Sequence, residues 1–313
     1  MGTPRRAEAT PRRRRRWPRV LAAIALLVVL AAGYLFLYEP PYRGTLVARP
    51  PRPLIFAHRG FGDLAPDNSL YAVERALEAG MDGVDVDGQL TKDGELVVFH
   101  DLSVDRLTSG TGRVRDKTRA EMLALDLGPK YEPALTGAHV RTFEDFLVAV
   151  KGRGILMVEL KVPGMAESGI ERRAVEIIRK HDAHREVVLS SFNPLVLYRL
   201  KRLDPHVRTA FIFMDTNWNA ELLAEIRPAD RVDLPWPLRQ EPIRRAVRKL
   251  VRPDLLSINH EVDESVTRGL IEKGWPVFIW TVDEEPEIRA ALAERPHGVI
   301  SDQPVRARQV RGE

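Results

Sequence analysis

The sequence predicts a (β/α)8 barrel carried behind one N-terminal transmembrane helix. Three observations lead to it. Short apolar runs alternate with amphipathic stretches throughout residues 54–304. Eight such pairs fill that span, and about 250 residues is the usual size of this barrel. Most of the apolar runs end in a polar or charged residue, and barrel active sites gather at the C-terminal ends of the strands.

The expected strands are LIFAH (54–58), GVDVD (83–87), ILMVEL (155–160), VVLSS (187–191), RTAFIF (208–213), LLSIN (255–259), PVFIW (276–280) and GVIS (298–301). Between them lie segments such as SLYAVERALEAG, TFEDFLVAVKGRG, ESGIERRAVEIIRKHD and PLVLYRLKRLD, with apolar residues at helical spacing. Gly80 and Gly274 suit helix C-caps, and Asn193-Pro194 and Asp283 suit helix starts. An open doubly wound sheet would need a glycine-rich phosphate turn after an early strand. Neither G-x-G-x-x-G nor a P-loop is present. Residues 214–253 exceed one crossover helix and are expected to hold a loop over the barrel mouth. Residues 102–141 leave no room for a separate insertion domain.

The N-terminus reads differently. Residues 1–19 hold eight arginines and one acid, so they carry +7 of the net +4 and leave the body at −3. A nucleic-acid partner would need a basic patch on the folded body, which this balance argues against. Residues 20–38, VLAAIALLVVLAAGYLFLY, are uncharged. As a helix they span roughly 28 Å, close to a bilayer's hydrocarbon core. The arginines before them place the N-terminus in the cytoplasm and the rest of the chain, with the barrel, on the extracytoplasmic side. The competing reading is a signal peptide cleaved near Ala31, Ala32 and Gly33, but its apolar core would be long for that. The first residues lack the Ser or Thr of a myristoylation site. The proline-rich stretch 39–53 reads as a stiff linker, and residues 305–313 as a charged tail. Cysteine is absent, which excludes disulfides, thiolate nucleophiles and zinc–thiolate sites.

Within the barrel, Asp85 and Asp87 share one face of a strand. Glu159 ends another strand, with Lys161 two residues beyond. Three carboxylates converging at the mouth cannot all stay ionised without a cation. A hard divalent metal with oxygen ligands fits them, and a soft metal does not. The alternative is a salt-bridge network with Arg59 and Lys161. His58 and His100 each end a β run. Two imidazoles beside a metal and two cations suit phosphoester cleavage, one taking a proton and the other giving one. Ser191 is a weak rival nucleophile, since it lacks G-x-S-x-G context.

AHRGFGDLAPDNS, GVDVDGQLTKDGELVVFHD and RLTSGTG, followed by VELK, SSFNP, VFIWTVD and GVISDQP, resemble the glycerophosphodiester phosphodiesterases over residues 54–304. The resemblance implies a (β/α)8 barrel, one divalent ion (Ca2+ or Mg2+) and hydrolysis of glycerophosphodiesters to glycerol 3-phosphate and an alcohol. It implies His58 and His100 as the acid–base pair and Arg59 and Lys161 as phosphate contacts. It implies Asp85, Asp87 and Glu159 as metal ligands, Asp67 in support and Trp280 as a pocket wall. In that family the substrate's own 2-hydroxyl is the attacking group, so no protein nucleophile is needed. Two acids depart from the family pattern, Asp67 and Asp85 standing where it has Glu. Each is shorter by roughly 1.3 Å, whereas metal sites tolerate a few tenths of an ångström. Lysophospholipid substrates are an alternative, favoured by apolar side chains around Trp218, Trp236 and Trp280. A non-catalytic binding module would be signalled by loss of a histidine or of Glu159, and all are kept.

Overall fold

The computed structural model describes residues 17–45, 47–128, 137–162, 164, 168–215 and 235–312. Eight parallel strands form the barrel: β1 (Leu54–Ala57), β2 (Gly83–Leu90), β5 (Ile155–Leu160), β6 (Val187–Ser191), β7 (Arg208–Phe213), β8 (Leu255–Asn259), β9 (Val277–Trp280) and β10 (Gly298–Ser301). Each pairs with the next, and β1 pairs with both β10 and β2, which closes the sheet. The expected strands are all present. β2 is longer than expected, because it runs past the rim into a hairpin with β3 (Leu96–Val98).

The helices between strands are α2 (Leu70–Glu78), α4 (Phe143–Val150), α5 (Ile170–Lys180), α6 (Pro194–Leu203), α7 (Glu241–Val251), α8 (Glu264–Glu272), α9 (Glu285–Ala293) and α10 (Pro304–Arg311). Their apolar faces bury against the outside of the sheet, as with Ala72, Val73 and Ala76 of α2. Ser69 caps α2 by accepting from Ala72 N at 3.0 Å, and Asn193 caps α6. Gly80 and Gly274 take positive φ after α2 and α8, as their C-cap placement requires. Asp283 falls one residue short of its expected role, since α9 is capped by Glu284. Inside the barrel, Phe56, Met157, Val188, Ala210, Leu255, Phe278 and Ile300 fill the lower layer. This plug leaves the upper layer to polar side chains.

Residues 96–142 do more than connect. With β3, α3 (Arg119–Leu123) and β4 (Arg141–Thr142), the described residues of this segment enclose a second small core containing Phe99, Val104, Met122 and Val140. The segment is too short for a domain but long enough for a lobe beside the rim.

α1 (Trp17–Phe36) stands apart, with apolar side chains such as Leu27 and Val29 exposed. Its apolar part, Val20–Phe36, is shorter than the uncharged run in the sequence. Among the described residues no helix is long and apolar enough to cross a membrane. Among the described residues the last turn of α1 meets the barrel. Lys249 Nζ donates to the carbonyls of Tyr34 and Leu35, each at 2.8 Å. Arg245 donates to those of Phe36 and Leu37, each at 3.0 Å. These α7 cations satisfy carbonyls that a helix end leaves unpaired. Glu39 then enters a buried ion-pair network with Arg248, which also bonds Glu241. Tyr42 packs against Trp275 with the rings tilted by 40° and donates to Asp254 O at 2.7 Å, and Val47 packs under the lower barrel layer. The proline-rich stretch is therefore laid along the barrel rather than holding it at a distance.

Candidate active site

The parallel register fixes the acids. Asp87 on β2 lies directly beside Glu159 on β5, and Glu159 beside Ser190 on β6. Asp85 is two residues below Asp87 on the same inward face. All three acids, His58, Arg59, His100 and Trp280 line one cleft of about 340 Å³ at the strand C-termini. Lys161 closes the group, with Nζ 3.0 Å from Asp87 and 3.3 Å from Glu159. Asp67 lies just behind, accepting from Arg59 Nη1 at 2.9 Å.

The electrostatics follow from burial with too few cations. Burial pushes Asp85 up to about 8, and neighbouring Asp87 and Glu159 add to this. Glu159 is raised too, by burial and by Asp87. Burial would also raise Asp87, but Lys161, Arg59 and an Asn68 hydrogen bond hold it well below the usual carboxylate range. Burial would lower Lys161, yet Asp87 and Glu159 keep it raised. The donor set is hard oxygen, and Asp85 and Glu159 stay raised even beside Lys161, Arg59 and the His58 ring, so a divalent cation such as Ca2+ or Mg2+ fits it. Among the described residues no three acids or histidines stand as a ready metal-holding group.

The two histidines are held in opposite states. His58 Nδ1 lies 2.8 Å from Asp302 Oδ1; a carboxylate only accepts, so the ring donates there. Burial would lower His58, but Asp302 outweighs it and raises the ring to about 9. His100 Nδ1 lies 2.6 Å from Asp101 Oδ1. Its Nε2 lies 3.0 Å from Arg59 Nη2. A guanidinium only donates, so Nε2 carries the lone pair and the ring is neutral. Burial, Arg59 and Lys161 together lower His100 to about 4.

Several residues outside the expected set hold this arrangement. Asn68, buried at positive φ, donates to Asp87 Oδ2 and accepts from Asp87 N, each at 2.9 Å. Arg106 makes two bonds to Asp101, at 2.8 and 2.9 Å. Asp302 is fixed in turn, its N–H donating to Asp283 Oδ1 at 2.7 Å. The sequence signals were the Asn of APDNS, the Arg of RLTSGTG and the Asp of GVISDQP. Ser191 is no rival, since its Oγ donates to Leu160 O at 2.9 Å. Trp280 meets Phe192 edge-on at 5.9 Å and forms a wall. Trp218 lies outside the described residues, and Trp236 is exposed and does not line the cleft.

Residues 58–306 match the model of the glycerophosphoryl diester phosphodiesterase family. The chain belongs to that family. Relatives within it include the glycerophosphodiester phosphodiesterase of Caldanaerobacter subterraneus subsp. tengcongensis, 31% identical over 252 residues, covering 80% of this chain and 94% of that protein. One from Bacillus altitudinis is 31% identical over 261 residues, covering 83% and 98%. Among solved structures, a putative glycerophosphoryl diester phosphodiesterase from Silicibacter pomeroyi superposes with a TM-score of 0.69 at 22% identity, covering 85% of this chain and 95% of that one. An Oleispira antarctica phosphodiesterase, solved with the product sn-glycerol-3-phosphate, superposes at 0.67 with 23% identity, covering 83% and 96%. These two establish the shared barrel. Family membership makes this chain a phosphodiester hydrolase.

Proposed function

We propose that this phosphodiesterase hydrolyses glycerophosphodiesters to glycerol 3-phosphate and an alcohol, with a divalent metal ion held by Asp85, Asp87 and Glu159. One observation carries the reading: both histidines, Arg59 and all three acids share one cleft. A divalent ion held by these acids would neutralise the phosphoryl oxygens and so favour attack at phosphorus. Arg59 and Lys161 bring further positive charge to the phosphate. One histidine takes the proton from the substrate's 2-hydroxyl as its oxygen bonds to phosphorus, and the other gives a proton to the leaving alcohol; water then opens the cyclic phosphate to glycerol 3-phosphate. Arg59 faces a choice between His100 Nε2 and phosphate. A bound phosphate draws the guanidinium away and frees the His100 lone pair. Asp85 and Asp67 keep the carboxyl groups of the longer family acids, and Asp67 still reaches Arg59.

The test is release of glycerol 3-phosphate from glycerophosphocholine by the full chain in detergent, with Ca2+, with Mg2+ and with EDTA. Metal-dependent release is expected. Equal release in EDTA would remove the metal from the proposal, and no release under any condition would overturn the substrate. A second reading, lysophospholipid cleavage, draws on the apolar side of the cleft, where Phe192, Ile212, Met214 and Trp280 lie. Lysophosphatidylcholine in the same assay decides it.

We further propose that the uncharged run 20–38, which extends beyond the apolar part of α1, makes the chain a single-pass membrane protein with its catalytic domain on the extracytoplasmic side. Supporting this are the uncharged run 20–38, the arginines before it and the apolar side chains that α1 exposes. Protease protection of the barrel in sealed vesicles tests the orientation.

A further inference from the structure

Gln89 is buried on β2, two residues beyond Asp87 on the same face. Its side-chain Nε2 lies 2.8 Å from Phe99 O, 3.2 Å from His100 O and 2.7 Å from Asp101 O. Three carbonyls converging on one point repel one another unless a donor sits between them. Only the NH2 end of the amide can do so, which fixes its orientation. Its two hydrogens serve the two shorter contacts and share the third. The same turn is tied to β2 once more, where Phe99 N donates to Asp87 O at 2.8 Å.

We propose that Gln89 is a positioning residue for the reaction, acting through His100: its amide gathers the backbone on which the imidazole rides and so sets where Nε2 stands relative to Asp87 and Arg59. The role rests on the phosphodiesterase reading, but the link to His100 does not. Asp101 and Arg59 hold the two ring nitrogens, while Gln89 holds the peptide beneath them. Partners at this remove from the chemistry typically matter about 10- to 100-fold.

The test uses Gln89→Leu, which keeps length and loses the donor, and Gln89→Asn, which keeps the amide and loses reach. In the full chain, Gln89→Leu is expected to lower kcat about 10- to 100-fold with KM within about twofold, and Gln89→Asn to lower it less. In a His100→Ala background the same substitutions should cost nothing more, as residues acting as one unit are non-additive. The imidazole 15N resonances of His100 should move in either variant while those of His58 stay. An unchanged kcat, an equal loss in the His100→Ala background or unmoved His100 resonances would overturn the proposal. If the parent enzyme releases no product, the phosphodiesterase reading fails, and the resonances still decide whether Gln89 positions His100. If Gln89→Leu does not fold, the Gln89→Asn resonances and kinetics give the answer.

Discussion

His58 and His100 stand across one cleft, yet each is supported in its own way. His58 leans on Asp302, from the opposite end of the chain, and the two meet only because β1 pairs with β10. The loop after His58 is pressed against the same turn, Asp63 N donating to Asp302 O at 3.1 Å. His100 leans on its own neighbour Asp101 and on a hairpin that returns the chain to β2. One aspartate–imidazole pair is made by barrel closure and the other by local turn geometry. Closure therefore builds a half-buried imidazolium and the hairpin builds a buried neutral ring.

The largest break comes from removing either ring. His58→Ala and His100→Ala should each lower kcat by about 10²- to 10⁴-fold with the fold intact by circular dichroism; normal turnover in either would end the two-histidine mechanism. Next come the supports. Asp302→Asn and Asp101→Asn should each lower kcat about 10- to 100-fold, and the pH profile should tell them apart. Activity that needs one neutral and one protonated ring has its plateau between about 4 and about 9. Asp302→Asn removes the anion that raises His58, so the upper limb falls to lower pH. Asp101→Asn leaves the upper limb in place.

A smaller effect separates seam from hairpin by stability alone. Gly62 has φ +56°, and a Cβ there would collide with the Asp302 backbone. Gly62→Ala should cost about 1–3 kcal/mol in denaturant unfolding and disturb the His58 resonances before those of His100. The finest effect is on linkage. His58 is raised from its ordinary 6.5 to about 9 in the fold. Its contribution to stability is whole below 6.5 and lost as pH rises through 9. Unfolding midpoints across that window should fall in the parent and flatten in Asp302→Asn.

The same contrast explains what the sequence made legible. Strands, caps and the three inward acids follow from periodicity two and from turn residues, which are local. His100 and Asp101 are adjacent, so their pairing could be anticipated. Asp302 could not be matched to His58, because a separation of 244 residues becomes a contact only through the closed sheet. Gln89 gave no signal, since its partners are backbone carbonyls that carry no residue identity. The lobe around Met122 was missed because its apolar residues are spread over short turns without a helical or strand period.

The buried Glu39–Arg248 pair bears on where this protein can be cut. Arg248 is fully enclosed, and Glu39 is one of its two acidic partners among the described residues, just outside the apolar helix. A soluble fragment begun at Tyr42 would keep every catalytic residue and strand, yet leave that guanidinium short of an anion. Removing one partner of a buried pair typically costs about 3–5 kcal/mol, a large part of an ordinary domain's margin. The excision point for a stable free barrel lies upstream of Glu39, so the first residues past the helix belong to the enzyme.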